Sequence, residues 1–516
     1  MIEVEPYRRS AYLLTCRILS VLSAVAAVIY LKWLFVDARP DNLWLFGMLV
    51  VAEVFNIAQA AGFWWTISRQ RWTEPGPVDF YSTHERVDIF VTVYGEPLAV
   101  IERTVEAAMA IRHPRKSVWV LDDGHSPDVE ALAEKLGAGY LVRPDRRGAK
   151  AGNINEALKR TNGHFVVIFD ADHVPRPDFL EETMGVFHNR KVAFVQTPQS
   201  YYNRAKNRVA AGAHDQQQLF YGPIMRGRNS CQAVFACGTN LVFRRSALET
   251  IGGMPEDSIT EDLRVSLLLL KAGYTAEYVS KVLAYGMGPV DVGGYFSQQL
   301  RWARGGLEIL FRRKPFFKEM PLSARLQYVL SFVYWFSGPV FCLYLVLPIA
   351  FLVFGMRPVH APNQYPAYFL PYIFLTLITM VYASNGKIRF RTLWFTLASF
   401  PVAFLAIFSA LLGRNAKFVV TSKGASQRSL RPVVVQAMTV AVLLCAVVYG
   451  LVHMGATPAV LNNVAFALGH VLVVQGFVRY ALWPEQPRDA AGDVADEADG
   501  SAAAGSLLSG ELGRLD

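Results

Sequence analysis

The sequence predicts an α/β domain of Rossmann type inserted into an α-helical membrane domain. Three observations predict it. Long apolar runs stand on both sides of residues 86–295 and none falls within them. Inside that window short apolar strands alternate with helical segments. The strands then end on acidic residues, where open α/β sheets bind their ligands.

The chain has 516 residues, of which 53% are hydrophobic, and those are clumped. Runs at 21–35, 43–67, 329–354, 368–383, 393–412, 433–452 and 464–480 are nearly charge-free. A helix of ~20 such residues crosses the hydrocarbon core. The net charge of +9 does not point to nucleic acid, because the cations gather beside these runs, as at Arg8, Arg9 and Arg17 or Arg312, Arg313 and Lys314. Ser23 to Ala27 resembles a signal-cleavage site, but it lies within an apolar run with a second close behind, so an anchor is expected. The five cysteines have no metal-ligand spacing, and free thiols are expected. No charge is expected at the bilayer midplane, which argues against a transporter of ions or small solutes.

Basic flanks orient the chain. Two N-terminal helices in 1–80 return it to the cytoplasm, which puts the domain at 81–295 inside the cell. Residues 296–328 are expected to form interfacial amphipathic helices, and 329–483 the remaining membrane helices. The run at 393–412 has equally basic loops before it (Lys387, Arg389, Arg391) and after it (Arg414, Lys417, Lys423). Both loops prefer the cytoplasm, so this run is expected to lie in the interface; a true crossing would break the charge rule. Six crossings remain, two before the soluble domain and four after it. Residues 484–516, rich in Ala, Gly and acids, read as a disordered acidic tail.

Within the soluble domain, 87–93 reads as a strand and Pro97 opens a helix to about Arg112. A strand at 117–121 ends on Asp122-Asp123-Gly124, with Ser126 and Pro127 starting the next helix. Residues 150–160 are helical. A strand at 165–169 ends on Asp170-Ala171-Asp172, and Pro177 is expected to begin a further helix. This order implies a mainly parallel sheet with helices on both faces.

Two carboxylates two residues apart suit a hard divalent cation bound to a diphosphate, although strand-end aspartates also form turns. Asp122 and Asp123 carry the same ambiguity. Arg147 to Asn153 has a Lys150 at a glycine-rich helix start, fit for a diphosphate or simply a turn. Thr260-Glu261-Asp262 opens a helix, where acids also complement the dipole. Gln298-x-x-Arg301-Trp302 lies in an amphipathic stretch, where Trp and Arg also anchor proteins at membranes. The ordered set on one sheet, more than any single motif, points to sugar transfer from a nucleotide sugar.

Over roughly nine-tenths of its length the chain resembles the processive family 2 glycosyltransferases, most closely the bacterial cellulose synthase catalytic subunits. The markers are the acidic motifs above, with Val93-Tyr94-Gly95-Glu96-Pro97, Lys150-Ala151-Gly152-Asn153, Gln196-Thr197-Pro198 and Phe235-Ala236-Cys237-Gly238-Thr239. Phe418-Val419-Val420-Thr421-Ser422-Lys423-Gly424 looks like the gating loop of the cellulose synthase group, placed at 417–424. Gly95 departs from the family's usual Asn.

The resemblance implies a GT-A-like domain. Tyr94 and Glu96 would hold the uridine, with Asp122 and Asp123 in the nucleotide pocket. Lys150 and Arg301 would contact the diphosphate, and Asp170 and Asp172 would hold Mg²⁺ or Mn²⁺. Asp262 would be the general base, with Glu261 beside it and Asp123 counted in the catalytic set. Trp302 would stack under the acceptor, with Cys237 near it, Gln298 completing the motif, and Thr421 and Lys423 of the gating loop touching substrate. The implied activity is processive, inverting transfer of glucose from UDP-glucose to a growing β-glucan, β-1,4-linked, exported through the chain's own membrane channel. A β-1,3- or mixed-linkage glucan, a polymer from UDP-GlcNAc and a glycolipid product are the alternatives. Expected partners are UDP-glucose, the polysaccharide and the inner-membrane bilayer, with a periplasmic or membrane accessory subunit left open and no nucleic acid. Cyclic-di-GMP control through a C-terminal β-barrel domain of the familiar kind is not expected, since only the acidic tail stands in its place.

Overall fold

A computed structural model describes residues 4–76, 78, 85–360, 364–412 and 429–483. Its soluble part is built on nine strands: β1 (Val87–Val93), β2 (Lys116–Asp122), β3 (Gly139–Leu141), β4 (Phe165–Asp170), β5 (Val174–Pro175), β6 (Val192–Gln196), β7 (Leu241–Arg244), β8 (Thr275–Tyr278) and β9 (Ala284–Tyr285). Seven form one sheet in the order β3-β2-β1-β4-β7-β6-β8, while β5 and β9 pair separately. Strands β3, β2, β1 and β4 are parallel; β7 runs antiparallel to both β4 and β6.

The strands read as unbroken apolar runs because both faces are covered. Ile89, Val91, Val167 and Phe169 pack on one face with Ile101 and Val105 of helix Leu98–Met109. Phe90, Val166 and Ile168 pack on the other with Ile154 of helix Ala149–Arg160 and Val265 of helix Glu261–Lys271. Register matters most for function. Val93 lies opposite Asp122 and Thr92 opposite Asp170, so the carboxyl ends of β1, β2 and β4 are level.

Some elements differ from those expected. Pro177 starts no α-helix: 177–183 form successive turns leading to a 3-10 turn, Met184–His188. Phe179 and Leu180 are both driven into the core there, and Phe179 meets Phe169 edge-on at 4.9 Å, which leaves no single buried helical stripe. Strand β3, only three residues long with a glycine, falls below the length at which alternation is legible.

Among the described residues, seven helices are long and apolar enough to cross a membrane: Pro6–Asp37, Leu43–Ile67, Leu322–Phe354, Tyr365–Ala383, Phe390–Leu412, Arg431–Met454 and Pro458–Leu482. The chain is a multi-pass membrane protein. The expected interfacial region at 296–328 overlaps the start of one of them, since Leu322–Val333 runs through a 3-10 turn into Ser337–Phe354. The expectation of no midplane charge is overturned. Glu53 lies midway along Leu43–Ile67, fully buried between helices, with Oε1 accepting the Tyr365 hydroxyl at 3.0 Å. Facing protein and not lipid is what admits a carboxyl there.

The segment Phe390–Leu412 is broken into Phe390–Leu397 and Phe400–Leu412. The second piece has 13 residues, about 20 Å of helix against ~30 Å of hydrocarbon. Its Ala406 and Ala410 pack on Ala303 and Leu307 of helix Val292–Arg312. The first piece presses Phe395 against Gly212 of helix Arg208–Leu219, where a Cβ would lie 2.1 Å from the ring.

Candidate active site

Level strand ends bring the acidic motifs to one edge of the sheet. After β1, Gly95 adopts φ +77°, the left-handed conformation that Gly, and next Asn, accept most readily. That turn lets the Glu96 carboxylate accept the Tyr94 amide at 2.7 Å. Tyr94 stays exposed, with the Arg146 guanidinium 5.4 Å from its ring centroid.

The two aspartates after β2 play different parts. Asp122 is buried, and its oxygens accept Gly124 N at 2.6 Å, Ser126 N at 2.8 Å and the Tyr140 hydroxyl at 3.0 Å. It shapes the turn. Asp123 takes a two-pronged pair from Arg143, at 2.6 and 2.7 Å, with both side chains buried. Arg143 also donates to Ala149 O at 2.7 Å, tying the strand end to the start of helix Ala149–Arg160. Gly152 is glycine for that reason: a Cβ would meet Arg147 O at 2.1 Å and Arg143 Nη1 at 2.3 Å. Arg143 carried no sequence signal, being one of several cations in a loop. Only the tertiary pairing reveals it.

The helix then presents Lys150, whose Nζ donates to Asp170 and, at 2.7 Å, to Gly238 O. Burial opposes the charge of Asp170, but Lys150 and His173 outweigh it and hold the carboxyl below its usual range. The Thr239 hydroxyl accepts the Asp170 amide at 3.0 Å. Asp172 sits beside His173, with Oδ1 and Nδ1 3.0 Å apart. One donor atom each from Asp170, Asp172 and His173 lies within 4.8 Å of the others. The His173 Nε2 is buried without a hydrogen-bond partner. Two hard carboxylates at the ligand-binding edge of the sheet fit a divalent cation such as Mg²⁺ or Mn²⁺.

Gly238 is the meeting point. It adopts φ +81°, and a Cβ there would lie 3.3 Å from Asp262 Oδ2 and 4.0 Å from Lys150 Nζ. Gln196 fixes this loop: its Oε1 accepts Cys237 N at 2.7 Å, and its Nε2 donates to Thr239 O at 2.9 Å. The Gln196-Thr197-Pro198 motif therefore works as a loop clamp. The Cys237 thiol is pushed up by burial and by the nearby Asp262 carboxylate.

Glu261 and Asp262 open helix Glu261–Lys271. Thr260 stands at its N-cap without a side-chain capping bond, packed instead on Gly305, where a Cβ would come within 2.3 Å of its methyl. Asp262 Oδ1 accepts Leu263 N at 2.8 Å. Burial pushes both carboxyls up, Glu261 further because Asp262 is next to it, while Lys150 and Arg301 pull the other way. A carboxylate held in this way is a stronger base than an exposed one.

Gln298, Arg301 and Trp302 lie on helix Val292–Arg312, capped by Asp291 accepting Gly294 N at 2.7 Å. Arg301 is near enough to act electrostatically on Glu261, Asp262 and Tyr201. Trp302 is half-buried, and Gln298 Oε1 is buried without a partner. The structure thus groups Lys150, Asp170, Cys237, Glu261, Asp262 and Arg301. Asp123 stands apart with Arg143, and Asp122 is occupied in its turn. Thr421 and Lys423, with the expected gating loop and the acidic tail, lie outside the described residues.

Comparison with known proteins identifies the family. The family model for glycosyl transferase family group 2 matches residues 165–453. The chain is 33% identical over 428 residues to a UDP-forming cellulose synthase catalytic subunit of Komagataeibacter sucrofermentans, covering 79% of this chain and 56% of that protein. It is 33% identical over 394 residues to the corresponding subunit of Pseudomonas fluorescens, covering 72% and 52%. The chain spans about half the length of these curated relatives. Among solved structures, a mannosyltransferase of Pyrobaculum calidifontis in complex with GDP-Man and Mn²⁺ superposes with a TM-score of 0.50 at 20% identity, over 67% of this chain and 98% of its own. That likeness shows the GT-A-like fold of the soluble domain.

Proposed function

The chain belongs to glycosyl transferase family group 2, and on that premise we propose that it transfers glucose from UDP-glucose to a growing β-1,4-glucan with inversion, exporting the polymer through its own membrane helices. The observation that carries the reading is the convergence on Gly238, whose carbonyl accepts Lys150, itself paired with Asp170, and whose Cβ position lies 3.3 Å from Asp262 Oδ2. A base and a diphosphate cradle at that spacing suit direct displacement at an anomeric carbon. The UDP-forming cellulose synthases among its relatives support the choice of donor and product.

Asp262 takes the proton from the acceptor hydroxyl as that oxygen attacks the anomeric carbon from the face opposite UDP. One base suffices, because no glycosyl-enzyme intermediate forms. Lys150 leaves Asp170 to meet the diphosphate, and Arg301 meets it from the other side. Asp170 and Asp172 would hold Mg²⁺ or Mn²⁺, which when bound neutralises charge on departing UDP. Tyr94 and Arg146 offer a flat face and a cation to the uridine, while Arg143 keeps the Asp123 loop rigid beneath it. Trp302 gives the acceptor sugar an apolar platform at the membrane edge.

The reading places the soluble domain in the cytoplasm and gives the chain six crossings in the inner membrane. The broken helix pair Phe390–Leu412 supports this, lying against the helix that carries Arg301. The test is polymer formation in vesicles from radiolabelled UDP-glucose and, in parallel, UDP-GlcNAc, with linkage-specific digestion. Insoluble product from UDP-glucose alone, dissolved by a β-1,4-glucanase, is expected. Product from UDP-GlcNAc alone, or only a lipid-soluble product, would overturn the reading.

A further inference from the structure

One buried cation has no part in the site as described. Arg228, in the short helix Met225–Ser230, is 1% exposed, and among the described residues it pairs with no carboxylate. Its Nη1 donates to Gln327 O at 2.8 Å and to Ser331 Oγ at 2.7 Å, whereas Nε and Nη2 are buried without a hydrogen-bond partner. The guanidinium lies 4.8 Å from the Phe235 ring centroid and 4.9 Å from that of Tyr328. An unpaired buried charge is costly, and an apolar side chain of the same volume would fill the place more stably. What an apolar side chain could not do is grip two elements at once.

Those two elements have different duties. Gln327, Tyr328 and Ser331 belong to Leu322–Val333, which runs on into the membrane helix ending at Phe354. Phe235 opens the loop that leads through Cys237 to Gly238, and so to Asp262 and Lys150. The Arg228 carbonyl also accepts Cys231 N and Ala233 N, both at 3.0 Å, fixing the approach to that loop. Behind Phe235 stands Phe220, at 5.6 Å, in a π-helical turn containing Gly222 and Pro223. Phe235 is therefore held by Arg228 and backed by a turn whose own hydrogen bonding is irregular.

We infer that Arg228 is a positioning residue that locks the Phe235–Gly238 loop to the helix beginning at Leu322, so that an acceptor arriving from the membrane side meets Asp262 at a fixed spacing. The inference rests on the transferase reading. It predicts a loss of transfer to the acceptor much greater than any loss of donor handling, since Asp170 and Arg301 stand on other elements and the Gln196 clamp still holds Gly238 to Lys150.

The test uses the full chain in lipid vesicles. It measures incorporation of sugar into polymer, release of UDP, and the KM for UDP-glucose. Arg228→Met is expected to lower incorporation at least ~tenfold while UDP release to water and donor KM stay within about twofold. Arg228→Lys, which keeps the charge but cannot cover both rings, is expected to lose less. Ser331→Ala removes one hydrogen bond and is expected to shift the ratio of incorporation to release by about twofold in the same direction. Should Arg228→Met fail to accumulate, the other two variants decide by that ratio. An unchanged ratio, or a parallel fall in incorporation, release and donor affinity, would overturn the inference and leave the transferase reading standing. A wild-type chain that released no UDP from any UDP-sugar would sink both.

Discussion

Asp262 is the base in the proposed reaction, and its burial has a sign that can be checked. A carboxyl pushed up in the fold binds its proton more tightly folded than unfolded, so its contribution to stability is fully present below the ordinary aspartate range and is lost as pH rises through the raised value. Activity runs the opposite way, because the base must be ionised. The acid limb of the pH–rate profile is therefore expected above the pH of an exposed aspartate, together with slightly better thermal resistance on the acid side. Asp262→Asn should cut transfer by roughly 10²–10⁴-fold, the range for losing a general base. It should not lower the melting temperature, since the charge it removes is disfavoured by the fold. Arg143 behaves differently. Arg143→Met would leave Asp123 buried without its partner and cost about 3–5 kcal/mol, read as a thermal shift, while the double variant with Asp123→Asn should recover much of that loss.

At the scale of elements, close contacts between helices set the geometry. Gly305 lets helix Val292–Arg312 approach Thr260, so Gly305→Ala is expected to push the start of helix Glu261–Lys271 away and lower kcat on the order of 10–100-fold, with a smaller effect on donor KM. The strands and acidic ends at 87–93, 117–122 and 165–170 were legible because doubly buried strands are apolar throughout and a following turn selects Asp and Gly. What escaped the sequence was tertiary. The reversal of β7 follows from no local pattern in Leu241–Arg244. The turns after Pro177 arise because Phe179 and Leu180 both go inward, and proline permits a helix start without requiring one. Glu53 breaks the expected absence of midplane charge because the facing Tyr365, distant in sequence, supplies its partner. The grouping of Lys150, Asp170 and Asp262 could be read only as an ordered set of motifs; that they converge on Gly238 is a matter of tertiary packing.

For the whole molecule, the broken segment Phe390–Leu412 ties membrane to catalyst. If it does not cross, the loops on either side of it share a face of the bilayer. Single cysteines placed at Lys387 and Arg414 should then react with an impermeant maleimide only in inside-out vesicles, and labelling from opposite sides would refute the six-crossing topology. Removal of divalent cations with a chelator should abolish transfer, and either Mg²⁺ or Mn²⁺ should restore it, if Asp170 and Asp172 hold the ion.

The level ends of β1, β2 and β4 leave this enzyme little slack in length. The acids of β2 and β4 are aligned on β1 by backbone pairing, so losing one residue from β2 or β4 turns its terminal aspartate, Asp122 or Asp170, through half a revolution to the other face of the sheet. Point substitutions inside these strands can be absorbed as long as they remain apolar and similar in volume. Insertions and deletions cannot. Over time the domain should therefore drift freely in composition while holding strand length constant, and a length change there should abolish activity even when the protein still folds.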